Sequence, residues 1–272
     1  MKNWIKDKKR KLIQLLCAIL YNCNISGFAK GNIYKGEIKS VCVPGLNCYS
    51  CPGAIASCPI GSLQTALVSA RYKFPYYIIG LMLLFGILLG RVICGFLCPF
   101  GLIQELLYKI PSKKIKKGNW SKKLSSIKYI VLIVFVILIP IFMAAPGFCK
   151  YICPAGTAEA GIILVSKNDS LKALIGFLFN WKIVLMMSIL VSSVFIFRIF
   201  CRFICPLGAF YALFNRISVF GFEIDSKKCN GCNACTITCK LDVKNVGDME
   251  CIQCGDCMKK CSQNAIQFKR KK

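Results

Sequence analysis

The string RVICGFLCPFG begins at Arg91 and RIFCRFICPLG begins at Arg198, and both read Arg-x-x-Cys-x-Phe-x-Cys-Pro-x-Gly. Each copy follows an apolar run, and the likeness continues as Leu106 matches Leu213, Lys109 matches Arg216 and Ile110 matches Ile217. Self-similarity of this kind marks an internal duplication. It obliges any fold to set the pairs Cys94/Cys98 and Cys201/Cys205 in equivalent surroundings.

The apolar runs are long enough to matter. Segments at about 74–93, 127–146 and 181–200 each supply most of the roughly 20 apolar residues that a membrane-spanning helix requires. A fourth, at about 12–29, is interrupted by Gln14, Asn22 and Asn24, and no small-residue cleavage site follows to make it a signal peptide. At 56% hydrophobic residues, the chain is too apolar for an ordinary soluble domain. Its formal charge of +26 clusters beside these segments, in KDKKRK at 6–11 and KKIKKGNWSKK at 113–123. Such runs stay on the cytoplasmic side of a membrane, where they meet anionic lipid. Topology therefore explains the charge better than a nucleic-acid partner does. Keeping both runs and the basic tail inside requires four spans in the cell membrane, with both termini cytoplasmic.

That topology sorts the 20 cysteines. Cys94, Cys98, Cys201 and Cys205 fall where spans two and four reach the cytoplasmic surface, while Cys42, Cys48, Cys51, Cys58, Cys149 and Cys153 fall on the outer side. Cys17 and Cys23, in the first span, read as small packing residues. The chain has no histidine, which removes most zinc-hydrolase, blue-copper and bis-histidine haem chemistry. Thiolate ligation of iron or zinc is left as the leading use of the cysteines.

The C-terminal text is the most specific. CNGCNACTITC from Cys229 and CIQCGDCMKKC from Cys251 both have the Cys-x2-Cys-x2-Cys-x3-Cys spacing of two-cluster bacterial ferredoxins. In that arrangement the fourth cysteine of each motif reaches the other cubane. Cys229, Cys232, Cys235 and Cys261 are expected to bind one [4Fe–4S] cluster, and Cys251, Cys254, Cys257 and Cys239 the second. Zinc ribbons space paired cysteines differently. The usual proline after the fourth cysteine is replaced by Lys240 and Ser262, which removes no ligand. The predicted architecture is a membrane all-α bundle of about four internally duplicated helices over 1–218, then a cytoplasmic α+β two-cluster ferredoxin domain over 219–272.

Within Cys-x-x-x-Cys-Pro the two cysteines share one helical face, the proline limits helical continuation and the glycine permits a tight turn. Cys94, Cys98, Cys201 and Cys205 would then form one site for a further iron–sulfur cluster or another soft metal, each half donating two thiols. A redox-active dithiol and plain packing are the alternatives. Arg91 and Arg198 would offset thiolate charge or anchor the helix ends at the interface. The outer segment 42–58 contains CPIG at Cys58, and CKYICPAG begins at Cys149, a fainter echo of the repeat in which Ala54 stands opposite Cys149. One outer site from Cys51, Cys58, Cys149 and Cys153 is one reading, with Cys42 and Cys48 left over; disulfides are the other.

Spans ending in Cys-x-x-x-Cys-Pro at Cys94/Cys98 and Cys201/Cys205, followed by two ferredoxin motifs, resemble the NapH/NosR-type family of membrane polyferredoxins. The resemblance runs from about Lys11 onward, and the CVPGLNCYSCPGA segment is similar to a clostridial-type branch. It implies electron transfer between a cytoplasmic redox protein, a ferredoxin or flavoprotein, and a membrane or extracytoplasmic acceptor. The chain would serve as a carrier or as a subunit of an oxidoreductase system. The rival readings are a copper-handling assembly factor built on the Cys-x-x-x-Cys-Pro pairs and a cluster-based redox sensor. Because the hydrocarbon core is about 30 Å thick, a relay between the inner and outer cysteines would need a bound intermediate.

Overall fold

The computed structural model describes residues 2–69, 75–115, 118–173, 175–241 and 243–270. Two helices in it are long and apolar enough to cross a membrane, Trp120–Met143 and Phe177–Phe195. Only 22% and 17% of their most apolar windows are buried inside the protein. A core helix of a soluble domain would be mostly covered; these turn side chains such as Ile130, Phe142, Phe177 and Val184 outward. The 19 residues of Phe177–Phe195 reach about 28 Å, close to the thickness of a hydrocarbon core. Within Trp120–Met143 the stretch Leu132–Leu138 is π-helical, just ahead of Pro140, which has no N–H to give the ladder.

Of the four expected spans, two have a helix of that length among the described residues. The second expected span, at about 74–93, starts at a residue outside the described ones, and its helix, Tyr76–Leu89, has 14 residues. It stops at Gly90, whose φ of +50° turns the chain sharply before Arg91. The first, at about 12–29, is not one helix. Lys2–Tyr21 ends where the Asn22 amide donates to the Ala18 carbonyl and to Asn47 Oδ1, and a short helix Ile25–Lys30 follows. Leu12, Leu16, Ile19 and Leu20 still give the first helix an exposed apolar face. Cys17 is half-buried there, but Cys23 is exposed, its thiol donating to the Leu20 carbonyl at 3.4 Å.

The repeated motifs form short paired helices, not the ends of long spans. Val92–Phe96 precedes Pro99–Leu107, and Ile199–Phe203 precedes Pro206–Phe214. Each break falls on the second cysteine, which is extended, and proline opens the next helix as its first residue, where a missing N–H costs nothing. Cys58 and Pro59 open the helix Pro59–Val68 in the same way. The buried rings of Phe100, Phe148 and Phe200 pack together at the centre, with Phe200 edge-on to Phe100 at 5.1 Å between centroids and 6.5 Å from Phe148.

The C-terminal segment closes with two antiparallel strands, Phe220–Ile224 and Ile266–Arg270, paired from Phe220 with Arg270 to Ile224 with Ile266. It packs directly on the first repeated motif. Asn215 ties the two together: its Oδ1 accepts from Arg91 N, and its Nδ2 donates to the carbonyls of Asp248 and Cys251. Lys128, buried on the long helix, pairs with Glu250 at 2.5 Å.

Candidate metal centres

In the C-terminal segment, Cys229, Cys232, Cys235 and Cys261 line a cavity of about 70 Å³. Cys251, Cys254, Cys257 and Cys239 line a neighbouring one of about 340 Å³, and Cys235 reaches both. The two loops share one backbone path. Gly231 and Gln253 have φ of 71° and 54° at the second x of each motif, and Asn233 and Gly255 have 55° and 75° just after its second cysteine. Alternating left-handed residues curl successive N–H groups into a concave nest, the kind of backbone that accepts an anionic iron–sulfur cluster. The donor set and the backbone both fit that group.

The inner cysteines come from both repeats. Every pair among Cys94, Cys98, Cys201 and Cys205 lies within electrostatic reach. Two contacts cross between the halves in each direction. Arg198 Nη1 donates to the Cys94 carbonyl at 2.6 Å, and Arg91 Nη2 approaches the Cys201 carbonyl at 3.5 Å. A Cβ on Gly101 would lie 3.1 Å from the Arg198 guanidinium, and one on Gly208 would lie 3.6 Å from that of Arg91. The motif glycines therefore make room for the other half's arginine. They do not supply a left-handed turn, since neither has positive φ. Both arginines are buried, at 1% and 0% exposure, so the interface-anchor reading does not hold. Glu105 pairs with Arg198 at 2.7 Å and with Arg10 at 2.8 Å.

Outside the repeats the structure differs from the expected ligand set. Cys48, Cys58, Cys149 and Cys153 line one cavity of about 290 Å³; Cys51, although buried, does not. The reason is the course of the loop. Cys48 N donates to Glu159 at 2.7 Å, which turns residue 48 toward Cys153, whereas the Cys51 sulfur accepts from the backbone N–H groups of Gly53 and Ala54 in its own loop. Burial pushes the Glu159 carboxyl up to about 7. Cys42 is buried apart from this group, and among the described residues no disulfide joins any of the cysteines.

Nor are the inner and outer groups a membrane's thickness apart. A Cβ on Gly45 would lie 3.3 Å from Cys98 Cα, and Cys48 follows three residues later, a stretch of at most about 11 Å. The segment 42–58 dips between the two groups and touches both.

Sequence reasoning missed two glutamines. Gln104 Oε1 accepts from Phe200 N at 3.0 Å while its Nε2 lies 3.1 Å from Cys201 Sγ. Gln64 repeats this with Phe148 N at 2.9 Å and Cys149 Sγ at 3.2 Å. Both stand six residues after a Cys-Pro, in CPIGSLQ and CPFGLIQ, a signal that was legible.

Among the described residues no three Cys, Asp or Glu side chains converge on a point as one metal ion requires. A mononuclear site would draw its sulfurs to within about 4 Å of one another at Zn–S bonds of about 2.3 Å. The cysteines of the C-terminal segment and of the outer group instead line cavities. Cysteine quartets lining cavities, on a chain without histidine, suit iron–sulfur clusters better than a single metal ion.

Comparison with known proteins agrees. A family model described as a 4Fe-4S binding domain matches residues 74–118, 129–172 and 180–224, one Cys-x-x-x-Cys-Pro in each. The chain belongs to the NosR/NapH-type family of 4Fe–4S polyferredoxins. It is 31% identical to an uncharacterized protein of Methanocaldococcus jannaschii, over 66% of this chain and 64% of that protein. It is 32% identical to the regulatory protein NosR of Stutzerimonas stutzeri over 63% of this chain, which is 23% of NosR. With the methylamine utilization ferredoxin-type protein MauN of Paracoccus denitrificans it shares 26% identity over 88% of this chain and 78% of MauN. The chain thus spans less than two thirds of the first two of these relatives. No solved structure matches it.

Proposed function

We propose that the chain carries single electrons across a membrane, from a soluble cytoplasmic donor to an acceptor in or beyond the bilayer. Bound [4Fe–4S] clusters would supply one-electron reduction and oxidation, two held by the ferredoxin cysteines and one by Cys94, Cys98, Cys201 and Cys205. The chain's residues support this reading by leaving no gap between the sites.

The observation that carries it is the contact between Gly95 and Ile252. A Cβ on Gly95 would sit 2.4 Å from the Ile252 carbonyl oxygen, so the loop between Cys251 and Cys254 rests on the residue next to Cys94. Arg91, Asn215 and Lys128 hold that loop through Glu250 and the carbonyls of Met249 and Cys251. At the far end, Cys229 and Cys232 are exposed beside Lys227 and Lys228. A basic rim around exposed ligand cysteines suits an acidic one-electron donor such as a ferredoxin or flavodoxin-like protein. The two apolar helices and the outward apolar side chains support a membrane location with several crossings.

The test uses the full chain in sealed liposomes with ferricyanide enclosed and a reduced soluble ferredoxin outside. Enclosed ferricyanide should bleach, one electron per ion, only in liposomes that contain the protein. Clusters that are reduced without any bleaching inside would reject transmembrane transfer, and copper in place of iron at the inner cysteines would favour the assembly-factor reading.

A further inference from the structure

We infer that Cys48, Cys58, Cys149 and Cys153 form a further [4Fe–4S]-binding site, the pseudo-equivalent of the Cys94/Cys98/Cys201/Cys205 site. In it Cys48 replaces the cysteine that Ala54 lacks.

The argument rests on repeated geometry. Cys58, Cys149 and Cys153 occupy the places of Cys98, Cys201 and Cys205, each in a Cys-Pro-x-Gly string or four residues before one. Gln64 clamps Phe148 N and Cys149 Sγ as Gln104 clamps Phe200 N and Cys201 Sγ. Gly156 N donates to Cys153 Sγ at 3.4 Å, and Gly208 N donates to Cys205 Sγ at 3.3 Å. The residue six after each of these last cysteines reaches back to the 44–48 loop: Glu159 accepts from Cys48 N, and Tyr211 donates to the Pro44 carbonyl. The counterpart of Cys94 would be Ala54, which is buried but brings no sulfur. Cys48 fills that role from the loop. Its Sγ would lie 3.7 Å from a Cβ on Gly156, next to Cys153 Sγ at 3.8 Å. Every pair among the four thiols lies within electrostatic reach, as in the inner group.

Further observations point to a ligand. The four sulfurs line a cavity of about 290 Å³. Asn47, fully buried, lines the same cavity, and its Nδ2 has no hydrogen-bond partner. An unpaired amide in a thiol-lined cavity suits an anionic cluster, whose sulfides accept hydrogen bonds. On ligation the four thiols release their protons, and no redox co-reactant is needed.

The site's ligands stand independently of the proposed function, and only its role as the last station depends on it. The test is iron per chain, with spectra, on the anaerobically purified full-length protein. The intact chain should hold about 16 iron atoms, four cubanes, where the ferredoxin and inner sites alone give about 12. Cys48→Ser and Cys58→Ser should each lose about four iron atoms, and Cys51→Ser none. Gln64→Glu keeps every ligand and should shift one cluster's potential while the ferredoxin signals stay in place. About 12 iron atoms in the intact chain, zinc or a disulfide at these cysteines, or equal loss in Cys51→Ser would overturn the site. Such a result would leave the transmembrane bleaching test unaffected. If Cys48→Ser yields no folded protein, the iron count of the intact chain decides.

Discussion

Arg198 reaches across the duplication to donate to the carbonyl of Cys94 at 2.6 Å, and Arg91 returns the approach to the carbonyl of Cys201. The repeat is thus built like an isologous dimer interface within one chain, with the same residue type performing the same task from each side. The halves differ in what answers each charge. Arg198 shares Glu105 with Arg10, whereas Arg91 reaches Glu250 of the C-terminal segment. One arginine fastens the N-terminal helix to the motif. The other fastens the ferredoxin segment.

Glu105→Gln should therefore loosen the first of these joints. It leaves two buried guanidiniums without their counter-charge, a loss of about 3–5 kcal/mol. Burial pushes the Glu105 carboxyl up, but Arg198 and Arg10 outweigh it and hold the group below its usual range. A depressed carboxyl adds stability above its unfolded value and loses it as pH falls through the folded one. Thermal unfolding in detergent, followed from neutral to acidic pH, should show the intact protein losing its advantage over Glu105→Gln at the acid end. Equal midpoints at neutral pH would show that Glu105 contributes nothing.

Gly95→Ala tests the contact with Ile252. The added methyl would meet a backbone oxygen at 2.4 Å, and backbone cannot swing aside as a side chain can. The C-terminal segment should lift off, becoming more sensitive to limited proteolysis, while its own clusters persist. Gly80→Ala is the control, because nothing lies within 4 Å of its Cβ position. Matching digestion of both variants would remove Gly95 from the docking surface.

Ligand exchange between the two ferredoxin motifs gives a third test. Cys239 lines the cavity of Cys251, Cys254 and Cys257, although it belongs to the first motif in sequence. Cys239→Ala should damage that cluster in Mössbauer and EPR spectra and spare the one at Cys229. The reverse pattern would reassign both ligand sets.

Some of this was legible in the sequence and some was not, for physical reasons. The spacing of Cys229–Cys261 carries its own geometry, because a short loop fixes which sulfurs can face one cavity. The inner pairs were legible through repetition. Cys48 and Cys51 could not be separated by spacing, because the choice rests on Glu159, more than a hundred residues away. The glycines of Cys-Pro-x-Gly suggested turns, yet what they accommodate is a guanidinium from the other half, a tertiary contact that overrides the local reading. The sequence reads as a longer span through Gly90 because apolar residues continue on both sides of the break.

The duplication itself can be tested through its non-additivity. Cys98 and Cys205 come from opposite halves, and each is within electrostatic reach of the other three inner thiols. If one site needs both halves, Cys98→Ala and Cys205→Ala should remove the same spectroscopic signal and about four iron atoms each. The double variant should then lose little more than either single one, since residues that share a site are strongly coupled. The ferredoxin signals should survive in all three variants, because their eight cysteines lie within 229–261. Separate, additive losses of metal would mean that each half holds its own site. Unchanged metal content in both singles would make these cysteines packing residues, and the crossed arginines would then serve only to hold the halves together.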